Sequence, residues 1–175
     1  MTTTWRNSAI LAIATLALTT GAAAGQYAAP TNDRAGGDAA EYLRQAQAAV
    51  DEDQDWGKAS VLFAKAAELQ TDDPAAARSW RLSGLLAYYA GREGRAIDAL
   101  ERSAEAALAW GDVATAARSF LDAAWVARHD GDDRRTLELA QRGERLASSP
   151  LLARAERAEL MSRIADDLPP QLPGS

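Results

Sequence analysis

The sequence predicts an all-α protein in which short antiparallel helix pairs stack into an elongated solenoid. Apolar residues recur at intervals of three and four from residue 39 to residue 168, which is the spacing of one helix face. Turns rich in glycine or aspartate interrupt this pattern at short intervals. Valine and isoleucine, which favour strands, are scarce. The 175 residues are enough for one such domain with its own core.

The first 24 residues have the order of a secretory signal peptide. A polar segment containing Arg6 precedes an apolar run from Ser8 to Leu18, and Ala22-Ala23-Ala24 supplies the small residues of a cleavage site. The apolar run has about half the length that a membrane-spanning helix needs. An uncleaved anchor is the alternative. We therefore expect an exported protein, periplasmic or extracellular, with no stable membrane insertion after cleavage.

The charge of the chain limits its partners. It has 19 basic and 25 acidic residues, a net charge of −6. Cleavage after Ala24 removes one arginine and no acid, which leaves 18 basic residues against 25 acidic ones, or −7. An acidic protein is poorly suited to nucleic acid or an anionic membrane, so we expect neither as a partner. The absence of cysteine excludes disulfides, thiolate metal sites and thiol catalysis.

Seven helices are expected along the chain. A linker at residues 25–38 contains Pro30, Gly36 and Gly37, and Asp55 and Pro74 mark helix starts. Pro169-Pro170 ends the last helix, and residues 169–175 are expected to be a disordered tail. The expected helices are 38–51, 55–69, 74–90, 93–110, 112–129, 133–146 and 150–168.

Helical spacing also predicts which residues each helix buries. The inward residues are expected to be Trp80, Gly84 and Ala87 in the third helix, Phe120, Ala124 and Ala127 in the fifth, Leu137, Ala140 and Gly143 in the sixth, and Leu151, Ala155, Ala158, Met161, Ala165 and Leu168 in the seventh. A small residue is needed where two helix backbones cross closely, and a bulky residue of the partner helix fills the adjacent gap. Gly84 and Ala96 suit such crossings.

One stretch, residues 80–107, carries a family resemblance. Trp80 is followed four residues later by Gly84, Gly91 interrupts the helix, and Ala96 and Leu100 open a second apolar stripe. This arrangement resembles one unit of a tetratricopeptide repeat. The resemblance implies a right-handed solenoid of helical hairpins, with about three such units over residues 39–147 and a capping helix over residues 148–168.

The repeats depart from the strict pattern of that family. Leu43, Trp80 and Phe120 hold matching places, with offsets of 37 and 40 residues, whereas strict repeats have a period of about 34. Another helical repeat, or an alanine-rich bundle that matches by composition, is the alternative.

In such a solenoid the first helix of each hairpin lines a concave face. Helical periodicity puts arginines and aromatics there, which suits contacts with carboxylates and with extended peptides. The candidate peptide-binding residues are Arg44, Arg78, Arg81, Leu85, Tyr88, Tyr89, Arg118, Trp125, Arg128 and His129. Leu121 is expected on the same face. The alternative is that these arginines pair with neighbouring acids and that the aromatics pack between repeats.

No catalytic or metal-binding constellation emerges from the sequence. His129 is the only histidine, and the acidic turns at 51–55 and 130–133 lack the ligand order of a calcium loop. We therefore expect no enzyme activity, cofactor or metal. The first hypothesis is a non-catalytic scaffold that binds a peptide or protein segment of unknown identity in the groove. The alternative is a structural or self-oligomerising helical repeat without a groove.

Overall fold

The computed structural model describes residues 33–167, with side chains from residue 37 to residue 166. Helices account for most of this part of the chain, and it contains no strand. They are α1 (Asp33–Asp51), α2 (Trp56–Leu69), α3 (Ala75–Tyr89), α4 (Glu93–Ala109), α5 (Val113–Asp130), α6 (Asp133–Ala147) and α7 (Arg154–Asp167). The signal peptide at 1–24, the first part of the expected linker and the tail at 169–175 lie outside the described residues.

Each helix packs mainly on the helices before and after it in the chain. The short connections make antiparallel hairpins of α1 with α2, α3 with α4, and α5 with α6. The last helix, α7, contacts both helices of the third hairpin. The predicted all-α solenoid of stacked hairpins is thus confirmed.

Three glycine turns divide the second and third hairpins at intervals of 20 residues. Gly91, Gly111 and Gly131 have φ of +69°, +74° and +82°. This is a left-handed backbone conformation, which residues other than glycine adopt only with strain. Asp112 and Asp132 follow two of them as N-caps, and each carboxylate accepts the N–H of the residue three positions on, at 2.9 and 2.8 Å. The turn sequence therefore both ends one helix and starts the next.

Small residues let the helices approach closely. A Cβ built on Gly84 of α3 would lie 2.6 Å from Cγ of Leu100 and 3.0 Å from the carbonyl oxygen of Ala96, both in α4. A Cβ on Gly143 of α6 would lie 2.7 Å from a methyl group of Leu121 in α5. The crossing expected at Gly84 is therefore present, and a second one exists between α5 and α6.

The inward stripe of α5 is as predicted, because Phe120, Ala124 and Ala127 are all buried. Trp80 faces the partner helix α4 as predicted, with the Arg102 guanidinium 4.8 Å from its ring centroid, but it is only half-buried.

The stripe predicted for the last helix is wrong at its described positions, and Leu168 lies outside the described residues. Leu151 is 80% exposed and Met161 42%, while Leu152 and Leu160 are buried and Ile164 is half-buried. The helix carries apolar residues on two faces, and the face that docks is not the one with the longer alanine series. The alanines at 155, 158 and 165 are exposed for the same reason.

The predictions for Leu137 and Leu121 are also wrong. Leu137 of α6 was expected inward and is 47% exposed, whereas Leu121 of α5 was expected on the concave face and is buried against α6 and α7.

Two helix boundaries differ from those predicted. The first helix begins at Asp33, inside the expected linker, and the last begins at Arg154, four residues after the expected start.

Candidate functional site on the first helices of the hairpins

A ladder of ion pairs joins three helices, α3, α5 and α7. Asp122 of α5 accepts from Arg81 Nε of α3 at 2.8 Å and from Arg163 Nη2 of α7 at 2.8 Å. Arg118 of α5 donates to Glu159 of α7, also at 2.8 Å. The two residues of every pair are 41 positions apart in the sequence. Arg118 and Asp122 of α5 contact Glu159 and Arg163 of α7 in the same order, so α5 and α7 run parallel. The contact between α7 and α5 therefore repeats the contact between α5 and α3.

The ladder contains one well-buried carboxylate. The Asp122 side chain is 8% exposed, and both of its guanidinium partners are about a quarter exposed, at 24% and 28%. Nearer the start of α5, the hydrogen bond from Arg118 holds the pKa of the Glu159 carboxyl below its ordinary value, and the same bond raises the pKa of Arg118. For Arg81 and Arg118, the structure thus shows the acid pairing that the sequence left open as the alternative.

An aromatic cluster lies where α3 and α5 end side by side. Tyr88 meets Trp125 edge-to-face, with ring centroids 4.9 Å apart, and Tyr89 edge-to-face at 5.7 Å. His129 stacks at a tilt on Trp125, with centroids 3.9 Å apart. The structure therefore brings together four of the residues that the sequence placed on this face. We call these four residues the aromatic cluster.

An open cleft of about 360 Å³ adjoins the aromatic cluster. Trp125, Arg128 and His129 of α5 line one side, and Asp166 near the end of α7 lines the other. His129 Nδ1 lies 2.8 Å from the carbonyl oxygen of Trp125 and donates to it. This bond makes Nε2 the acceptor nitrogen of the neutral imidazole. The cleft thus combines an indole face, two basic side chains and a carboxylate.

The remaining candidate residues do not join this cleft. Arg44 of α1 is exposed and pairs with Glu41 on its own helix, and Arg78 is exposed on the first half of α3. Leu85 is half-buried and packs against the central core. These three belong to the same set of helices but do not line the cleft.

Sequence reasoning missed the acids Asp122, Glu159 and Asp166. The signal that predicts two of them is the recurrence of opposite charges at a spacing of 41, as in Arg81, Asp122 and Arg163. That spacing becomes meaningful only once the repeat length is known.

Other kinds of site are not found in the part of the chain that is described. No group of three metal-ligating side chains comes together among residues 33–167. None of the described helices is long and apolar enough to cross a membrane. Comparisons of this chain with protein-family models, with curated proteins and with solved structures found no match.

Proposed function

We propose that this protein is an exported, non-catalytic scaffold that binds a peptide or protein segment beside the aromatic cluster. The proposal includes the tetratricopeptide-like character of its hairpins. One observation carries it. Tyr88 and Trp125, from the first helices of two successive hairpins, meet at 4.9 Å beside an open cleft. Large rigid rings in such a place supply contact area at low cost in side-chain entropy.

The charges around the cluster favour a polar, extended segment as the ligand. Arg128 and His129 stand on one side of the cleft and Asp166 on the other. A bound segment would meet the Arg128 donors on one wall and the Asp166 acceptor on the other, while an apolar side chain would contact Trp125. Arginine next to tryptophan is also a frequent combination in energetically important contacts.

The ladder supports the proposal because it fixes the walls of the cleft before binding. The Asp122 carboxylate holds α3 and α7 through two hydrogen bonds of 2.8 Å. A preformed site loses less conformational freedom on binding than a flexible one, which raises its affinity.

Selection from a random peptide library on the immobilised protein tests the proposal. The affinity of enriched peptides is measured by calorimetry for the parent protein and for Trp125→Ala and Tyr88→Ala. Because truncating an interface hot spot costs about 2 kcal/mol or more, each substitution is expected to weaken binding about thirtyfold.

The matched control is Trp110→Ala, which removes a 49% exposed tryptophan at the end of α4, away from the cleft. Its affinity is expected to equal that of the parent protein, and circular dichroism verifies that all three variants fold. The proposal fails if no peptide is enriched, or if the Trp110 and Trp125 variants lose affinity equally.

Export is a separate part of the proposal and has its own test. Expression of the whole chain in a bacterial host, followed by mass measurement of the protein in the envelope fraction, is expected to give a chain beginning at Gly25. A protein that retains Met1 and stays with the membrane pellet contradicts cleavage and supports the anchor.

A further inference from the structure

The outer face of α7 presents apolar groups to solvent. This face consists of Arg154, Ala155, Ala158, Met161, Ser162, Ala165 and Asp166, all exposed. On a helix these positions fall on one side, opposite the docked residues Leu160 and Ile164. We call this set the outer face of α7.

Comparison of successive hairpins shows what normally covers such a face. The turns at Gly91 and Gly131 set an offset of 40 residues between the second and third hairpins, and the same offset aligns buried Phe120 with buried Leu160. Met161 is then the counterpart of Leu121, which is buried beside Gly143 of the following helix. In the described part of the chain no following helix packs on Met161.

The third hairpin shows the same change at this end of the solenoid. Leu137 of α6 is the counterpart of Ile97 of α4 at an offset of 40. Ile97 is buried in the central core, whereas Leu137 is 47% exposed. Leu137 is thus an exposed apolar residue at a position that is buried in the preceding hairpin.

The charges on the outer face make it complementary to itself. Arg154 stands at the start of α7 and Asp166 near its end, with alanines and a serine between them. If two copies of α7 lie antiparallel and centred on residue 160, Arg154 faces Asp166 of the other copy, Ala155 faces Ala165, and Ala158 faces Ser162. The two-fold symmetry repeats this Arg154–Asp166 pair, so the interface contains two ion pairs, and the small residues permit close approach of the two backbones.

We propose that a second copy of this chain docks on the outer face of α7 to form a two-fold symmetric dimer. Self-complementarity favours a second copy over an unrelated partner, because an isologous interface must satisfy the same charges on both sides. The contact of one helix pair is small, so the dimer is a weak one that forms in the micromolar range or above. The proposal shares Asp166 with the wall of the cleft, whereas Arg154 does not line the cleft, so Arg154→Asp tests the dimer separately from peptide binding.

Sedimentation velocity of the full chain across the micromolar range is the first test. A monomer–dimer equilibrium is expected. Arg154→Asp replaces two attractive pairs by two repulsive ones and is expected to weaken the dimer at least about tenfold. Asp166→Arg is expected to do the same, and the doubly substituted chain, with the charges exchanged, is expected to return to within about threefold of the parent.

Engineered cysteines test the antiparallel register, since the natural chain contains no cysteine. A mixture of Ala158→Cys and Ser162→Cys proteins is expected to form disulfide-linked dimers faster than either protein alone. The control is Ala109→Cys, an exposed alanine at the end of α4. Circular dichroism and thermal unfolding verify that each variant folds, which is expected because every substituted residue is exposed.

Three results overturn the proposal. One is a protein that stays monomeric at all concentrations. Another is a dimer that is insensitive to both charge reversals, which points to a head-to-tail contact elsewhere. The last is cross-linking through positions 158 and 162 no faster than through position 109.

Discussion

Removal of the Asp122 carboxylate is expected to destabilise the solenoid strongly. This side chain is 8% exposed and accepts two hydrogen bonds of 2.8 Å from guanidinium groups. A hydrogen bond to a charged group contributes about 1.5–3 kcal/mol to stability. Because the two arginines are about a quarter exposed, water replaces part of each bond, and the lower end of that range applies. We therefore expect Asp122→Ala to lower the free energy of unfolding by about 3 kcal/mol.

Urea denaturation followed by circular dichroism measures this change. Asp122→Asn keeps the size and one carbonyl acceptor, so we expect a loss of about 2 kcal/mol. Asp98→Ala, which removes an exposed aspartate of α4, is the matched control and is expected to change stability by less than about 0.5 kcal/mol. In a double-mutant cycle, Arg81→Ala is expected to cost much less when Asp122 is already alanine.

Hydrogen exchange adds a local readout, because the same substitution should increase amide exchange along α7 more than along α2. The reasoning is refuted if Asp122→Ala and Asp98→Ala have equal stability, or if the effect of Arg81→Ala does not depend on residue 122.

Three further outcomes are expected from the described contacts. Gly84→Ala should lower the free energy of unfolding by about 1–2 kcal/mol, since overpacking against α4 outweighs the gain in helix propensity. Gly94 has open space around it, so Gly94→Ala should leave stability unchanged or raise it slightly. Thermal unfolding measures both changes. Glu159 has a lowered pKa in the folded state, so its ion pair with Arg118 stabilises above the ordinary value of about 4.5 and is lost as pH falls through the lowered value. Because Glu159 is half-exposed, this ion pair should contribute only about 0.5 kcal/mol to the free energy of unfolding. Urea denaturation at several pH values measures the loss of stability in acid, and Glu159→Gln should remove the part of that loss that comes from this pair. Ser103→Ala should cost about 1–2 kcal/mol in the same assay, because its buried hydroxyl donates to a backbone carbonyl of α3 at 2.7 Å.

The sequence was most informative where a helix is enclosed on both sides. In α5 the expected stripe of Phe120, Ala124 and Ala127 is buried, because helices before and after it press on that stripe. In α7 the docked Leu160 and the exposed Met161 are both apolar, so periodicity alone could not choose between two faces. The choice depends on contacts with α5, which the sequence of α7 does not contain.

The candidate site was predictable only in part for a related reason. Periodicity within one helix is enough to place Tyr88 on one face of α3 and Trp125 and His129 on one face of α5, and these residues do meet. Pairing of Arg81 with Asp122 depends on the relative height of two helices, which is set by turn geometry and by the depth to which side chains interlock. The offsets of 37 and 40 residues between apolar positions do not reveal that the charges pair at 41.

The way in which each helix packs on its neighbours in the chain has a consequence for how this protein folds. Contacts between residues near in sequence close small loops, and proteins built from such contacts fold rapidly. During synthesis the N-terminal residues leave the ribosome first, so each hairpin can form before the next one has been made. The last helix, α7, has the smallest contact with the rest and joins a surface that is already formed. Unfolding should therefore begin at α7 and proceed towards α1, so that the cleft loses its Asp166 wall before the helices of the hairpins separate.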